Sequence, residues 1–173
     1  MGSTLKIKKK DTRTYLLYSA IIAIGILLDQ LTKWLAVKYL MPIITQPIIK
    51  DVLHLTYVEN RGAAFGMLAN HRWVFILISS VTIIMLLGAL YLGYLSNTLY
   101  KVSIAMIISG GIGNMIDRLW LGYVVDFIDF RLIDFAVFNG ADSFVCVGAG
   151  LLILALILDI AAESKKNKRD GAR

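Results

Sequence analysis

Residues Trp73–Leu95 read WVFILISSVTIIMLLGALYLGYL, twenty-three positions without one Asp, Glu, Lys or Arg. About 20 such residues wound as a helix cross the hydrocarbon core of a bilayer, so this stretch decides the fold class. Tyr15–Trp34, Lys101–Trp120 and Ala141–Ala162 are apolar in the same way. Of the 173 residues, 58% are hydrophobic and 17% charged, with a mean hydropathy of +0.71. A soluble domain carries about 25% charged residues. The expectation is an all-α polytopic membrane protein forming a single integral membrane domain over residues 1–173. Its transmembrane helices span 15–34, 73–95, 101–120 and 141–162, and the segments of 38–72 and 121–140 lie outside.

Working outward from the spans, basic residues set the orientation. Lys6, Lys8, Lys9, Lys10 and Arg13 precede the first span, Lys101 lies in the turn between the second and third, and Lys165, Lys166, Lys168, Arg169 and Arg173 follow the fourth. These regions are expected on the cytoplasmic side, with both termini inside. The net charge of +6 is then a topology signal rather than a nucleic-acid footprint, because no basic-aromatic groove accompanies it. The start resembles a signal peptide, but its apolar core runs into Asp29-Gln30-Leu31-Thr32-Lys33-Trp34 without a small-residue exit site, so no cleavage is expected. Cys146 is the sole cysteine and falls within the fourth span, where a packing role is expected.

The outside segments are more than plain loops. Val52–Val58 is rich in β-branched and aromatic residues and follows Pro42 and Pro47, which reads as one or two short strands of a small extracytoplasmic β-rich platform. Tyr123–Phe130 reads either as a strand or as an interfacial helix. Phe65, Trp73, Trp120 and Tyr123 are placed to anchor the outer interface. Gly110, Gly111, Gly113, Gly148 and Gly150 permit close helix packing.

Ionisable groups at a membrane rim are costly, and here they converge at one depth. Asn114, Asp117 and Arg118 share a helix face at the outer end of the third span. Asn139 and Asp142 open the fourth, and Asp29 and Lys33 lie near the outer end of the first. Plainer readings remain for each. Asp117 with Arg118, and Asp29 with Lys33, read equally as structural ion pairs, and Asp142 as a helix-start residue. Asp126, Asp129 and Asp134 read equally as solvated loop carboxylates. Two neighbouring aspartates offer a chemistry of their own: they share one proton, so one activates water while the other polarises a carbonyl. Ser143 has no histidine neighbour, and His54 and His71 are too few and too separated for a metal site, so neither a metal nor a cofactor is expected. A transporter would place its charges near the midplane and show internal repeats, and neither pattern is present.

Five ordered blocks resemble the signal peptidase II family of bacterial membrane aspartic proteases. They are Asp29-Gln30-Leu31-Thr32-Lys33, Asn60-Arg61-Gly62-Ala63-Ala64-Phe65, Gly110–Arg118, Val124-Val125-Asp126-Phe127 and Phe138–Ser143. The resemblance implies that Asp126 and Asp142 are the catalytic pair, selecting Asp126 over Asp129 and Asp134. It implies that Asn60, Gly62, Asn114, Arg118 and Asn139 line the site and hold substrate, while Asp29, Lys33 and Asp117 support the architecture. The implied substrate is a lipid-modified prolipoprotein, cut just before its diacylglyceryl cysteine by a monomeric enzyme of the bacterial cytoplasmic membrane, with membrane lipids as its surroundings. Ala136 and Gly140 depart from the residues usual in the family, and the connection from Asp126 to Asn139 is short.

Overall fold

The computed structural model describes residues 12–62, 71–95 and 97–170. Four helices are long and apolar enough to cross a membrane: α1 (Thr12–Tyr39), α2 (Arg72–Tyr91), α3 (Thr98–Trp120) and α4 (Gly140–Asp170). In hydrocarbon no water satisfies backbone N–H and C=O groups, so an apolar stretch closes its own hydrogen bonds as a helix. The bundle is accordingly apolar on its outside. Leu77, Ile78, Ile84 and Met85 of α2 and Ile153, Ile157 and Ile160 of α4 are exposed. α1 runs past Trp34 to Tyr39, and α4 runs past Ala162 through the basic stretch that ends at Asp170.

α3 is the central element and packs against each of the other three helices. Its chain enters the helix at Asn97, whose Oδ1 accepts a hydrogen bond from the Leu99 N–H at 2.8 Å. Such a cap satisfies one of the donors that a helix start leaves free. The half of the core away from the sheet joins Tyr18, Ile83, Leu90, Ile104, Ala105 and Ile108. Toward the end that carries the polar residues, close approach depends on two glycines. A Cβ at Gly110 would run into the Ala141 carbonyl oxygen, and one at Gly113 into the Asp29 carboxylate. Those contacts bring α1 and the start of α4 against α3 at the level of the polar residues.

The segments between α1 and α2 and between α3 and α4 contribute one antiparallel sheet in the order β1–β2–β3, with β1 at Thr45–Ile49, β2 at Leu53–Asn60 and β3 at Val124–Phe130. Pro47, which has no N–H to give to a ladder, sits on the edge strand β1. Tyr123–Phe130 thus resolves as strand rather than helix from Val124 onward. The sheet is seated on the end of α1, where Leu55, Tyr57, Tyr123 and Phe127 pack around Ala36, Leu40 and Val125. In the β2–β3 register, Val58 pairs with Asp126 and Asn60 with Val124.

After β3 the chain turns through a short 3-10 segment, Arg131–Ile133, and returns to meet its own strand. The Phe138 carbonyl accepts from the N–H groups of Phe127 (3.0 Å) and Ile128 (2.8 Å), and the Phe138 N–H donates to Ile128 O at 3.1 Å. The Phe130 and Phe138 rings stack at 6.0 Å, and Phe135 meets Phe138 edge-on. This closure is how a short connection delivers Asn139 beside Asp126. Trp73 and Trp120 are exposed, at 65% and 88%. Tyr123 is half-buried under the Arg61 guanidinium. Phe65 lies outside the described residues.

Candidate active site

The polar residues form two layers. The deeper one centres on Lys33, whose side chain is almost wholly buried. Its ammonium has three N–H groups and three acceptors: Asp29 Oδ2 at 2.9 Å, Asp117 Oδ2 at 3.0 Å and Asn114 Oδ1 at 2.9 Å. Gln30 donates to Asp117 Oδ1 at 3.0 Å and to Asp29 Oδ2 at 3.2 Å. Asp117 therefore pairs with Lys33, not with its neighbour Arg118, among the described residues. Adjacent residues on a helix point about 100° apart, so sequence adjacency puts them toward different partners.

Each carboxylate of this triad also grips a backbone N–H beside the upper layer. Asp29 Oδ1 accepts from Ala141 N at 2.8 Å, and Asp117 Oδ2 from Val125 N at 3.1 Å. Ala141 immediately precedes Asp142, and Val125 immediately precedes Asp126.

The upper layer brings together Asn60, Asn114, Asp126, Asn139 and Asp142. Asp126 Oδ2 accepts from Asn60 Nδ2 at 2.9 Å, and Asp126 Oδ1 from Asn139 Nδ2 at 2.7 Å. Asp142 Oδ1 accepts from Asn114 Nδ2 at 2.7 Å, and Asp142 Oδ2 from the Asn139 N–H at 3.2 Å. Asn139 thus donates to both aspartates, its side chain to one and its backbone to the other. Its Oδ1 in turn accepts from the Asp142 N–H at 2.9 Å, capping α4. Burial pushes the Asp126 carboxyl up to about 6, and the nearby Asp142 charge adds to this; the amides of Asn60 and Asn139 and the charge of Lys33 oppose it.

A cavity of about 710 Å³ opens beside the aspartates. Phe75 and Ser79 of α2, Arg118 of α3, Phe135–Phe138 of the connection, and Ser143, Cys146 and Val147 of α4 line it with Asn60, Asp126 and Asp142. Arg118 lies across its wall, with its guanidinium 5.0 Å from the Phe75 ring and long 3.4 Å contacts to the carbonyls of Asn114 and Gly62. Among the described residues it has no carboxylate at ion-pair distance, so its charge is available to a ligand. Cys146, expected to serve packing, is exposed on this cavity one turn beyond Asp142. Phe75 and Ser79 were not singled out from sequence, because an apolar span carries no mark of which face lines a cavity.

The remaining loop acids separate from the site. Asp129 is bound within the sheet by Thr56 Oγ1 at 2.7 Å and Arg131 Nε at 2.9 Å, and Asp134 occupies a left-handed turn at φ 46°. Among the described residues no three His, Cys, Asp or Glu side chains gather as a metal would require.

Residues 21–158 match the model of a protein family described as signal peptidase (SPase) II. The chain belongs to the signal peptidase II family. A lipoprotein signal peptidase from Caldanaerobacter subterraneus is 57% identical over 132 residues, covering 76% of this chain and 90% of that one. One from Clostridioides difficile is 46% identical over 143 residues, covering 82% and 95%. A bacterial membrane enzyme solved by the in meso method at 2.3 Å superposes with a TM-score of 0.77 at 33% identity, covering 84% of this chain and 90% of that one. This is therefore a multi-pass membrane enzyme of the signal peptidase II family, an aspartic peptidase family, with the four-helix bundle and three-stranded platform described above.

Proposed function

We propose that Asp126 and Asp142 are the catalytic pair of an endopeptidase that removes signal peptides from diacylglyceryl-modified prolipoproteins, cutting just before the lipidated cysteine. The observation that carries the reading is the bridge made by Asn139, which holds one oxygen of each carboxyl. Two carboxyls so linked cannot both ionise cheaply, and they share a proton. Burial and the Asp142 charge favour the proton on Asp126. Asp142 then takes a proton from water as the oxygen attacks the scissile carbonyl carbon. Asp126 donates its proton to the carbonyl oxygen, giving a neutral gem-diol. Collapse of that intermediate breaks the C–N bond as the proton held by Asp142 passes to the leaving amine and a hydroxyl proton of the gem-diol returns to Asp126, leaving a carboxylic acid and the original pair.

The rest of the site supports the same reaction. Asn60, Gly62, Asn114, Arg118 and Asn139 hold the substrate peptide and the aspartates. The apolar walls of the cavity accept the signal peptide's last turn or the diacyl chains. The basic residues flanking the spans support cytoplasmic termini, with the platform and the aspartates facing outward, where a lipid-anchored cysteine lies at headgroup level. On the same reading the protein is a monomer embedded in lipid and acting as a single domain.

Mass spectrometry of a synthetic diacylglyceryl prolipoprotein peptide incubated with the purified protein tests this. Cleavage on the amino side of the modified cysteine is expected. Release of an unmodified peptide at the same rate, or cleavage elsewhere, counts against the substrate. Turnover near the wild-type rate in Asp126→Asn or Asp142→Asn counts against the pair.

A further inference from the structure

Lys33 touches neither aspartate of the upper layer, yet two short paths lead from it to both. Its ammonium donates to Asn114 Oδ1, and the same amide's Nδ2 donates to Asp142 Oδ1. Asn114 Oδ1 also accepts from Asn139 Nδ2 at 3.0 Å, and that nitrogen reaches Asp126 Oδ1. An ammonium is a donor only. The atom that Asn114 turns toward Lys33 must therefore be its oxygen, which leaves its NH₂ facing Asp142. A flipped Asn114 would set its NH₂ against both the ammonium and the Asn139 NH₂. The direction of every hydrogen bond from Lys33 to the aspartates follows from that one constraint.

We propose that Lys33 is a positioning residue for the hydrolysis: through the Asn114 and Asn139 amides it keeps a donor aimed at each catalytic aspartate and lends the pair its positive charge. This rests on Asp126 and Asp142 being the catalytic pair. It assigns Lys33 a part in the reaction beyond the structural ion pair with Asp29 and Asp117. Among the described residues, the charged and titratable groups facing the aspartates are Lys33 and Asp29 from α1, Asp117 and Arg118 from α3, and Cys146 from α4. β2 presents the neutral Asn60, and α2 presents Phe75 and Ser79. Lys33 is thus one of two cations in the set, and the one wired to the pair by hydrogen bonds.

Removing a positive charge near a carboxyl makes its ionised form less favourable, and losing the aimed donors acts in the same direction. The experiment is the pH profile of cleavage of the synthetic diacylglyceryl peptide by wild type, Lys33→Met and Lys33→Arg, with Asp126→Asn alongside. Both limbs of the Lys33→Met profile are expected to move to higher pH by about one unit. Lys33→Arg, which keeps charge and donors, should return them toward wild type even at a lower rate. A purely structural lysine would lower the rate of Lys33→Met equally at all pH values and leave both limbs in place, and that result overturns the proposal. Should Lys33→Met not fold, Lys33→Gln replaces it, since its amide still donates to Asn114 but carries no charge; the same upward displacement is expected, and an unmoved profile is again fatal. If Asp126→Asn cleaves like wild type, the aspartate pair itself is wrong. If that variant is dead and the Lys33 profile stands still, only the role of Lys33 falls.

Discussion

Two pairs of aspartates lie one above the other, with Asp29, Asp117 and Asp126 buried and Asp142 half-buried on the cavity, and the donors they face differ in kind. Asp29 and Asp117 share an ammonium within 3.0 Å, whereas Asp126 and Asp142 are met by neutral amide and backbone donors. The lower pair encloses that ammonium and, through the Ala141 and Val125 N–H groups, serves as a tie between α1, α3, β3 and α4. Amides orient a carboxyl without supplying a full opposite charge, and in the upper layer burial pushes the Asp126 carboxyl up to about 6. The lesson is that burial alone does not make an acid reactive; the kind of donor it faces does.

The sharpest way to break this contrast is to neutralise one acid of each layer. Asp126→Asn should lower cleavage by on the order of 10²–10⁴-fold or more while the protein remains folded, read by the peptide assay and by thermal unfolding in detergent. An active Asp126→Asn erases the distinction.

The pH profile comes next. Asp126 must be protonated to act as acid, so kcat/KM should fall about tenfold per unit as pH rises past about 6. Its folded value lies above the ordinary 3.8, so its ionisation destabilises the fold. Stability should therefore decline as pH climbs from 3.8 through about 6, and Asp126→Asn should lack that decline in a melting series.

Asp117→Ala should behave in the opposite sense, losing about 3–5 kcal/mol because Lys33 and the Val125 N–H lose a buried partner. Urea or thermal unfolding checks it, and a stable but inactive Asp117→Ala would move that residue to the upper layer. Gly113→Ala pushes a methyl toward the Asp29 carboxylate and should cost about 1–3 kcal/mol by the same measurement.

The smallest effect belongs to the platform. Burial pushes the Asp129 carboxyl up, but Thr56 and Arg131 outweigh it and hold it below the usual range. Its stabilising contribution is present above the ordinary carboxylate value and is lost as pH falls through the lowered one. Asp129→Asn should cost about 0.5–1.5 kcal/mol and leave cleavage unchanged at neutral pH. A large loss of activity would tie the platform acid to the site.

Much of this was legible in the chain. Uninterrupted apolar stretches announce helices in lipid, because hydrocarbon leaves the backbone no other partner, and the ordered polar blocks point to the family. The residues at 114, 117 and 118 could be placed on one helix face, but not their partners. That Asp117 turns to Lys33, eighty-four positions away in sequence, follows from how α1 and α3 meet across Gly113, and periodicity within one helix is blind to it. The strand at Val124–Phe130 was ambiguous because a short apolar run suits either conformation, and pairing with β2 settles it. Cys146 looked like filler because hydropathy says nothing about which side of a span faces a hollow.

Asp126 and Asp142 are secured from beneath, each by the backbone N–H just before it, while Phe135, Ala136 and Val137 line the cavity without a hydrogen bond to either carboxyl. Those three side chains can change without removing a hydrogen bond from either carboxyl. Relatives from different bacteria should diverge there first. A small molecule that grips only the aspartates would then act across species, whereas one leaning on Phe135, Ala136 and Val137 would be selective for a few.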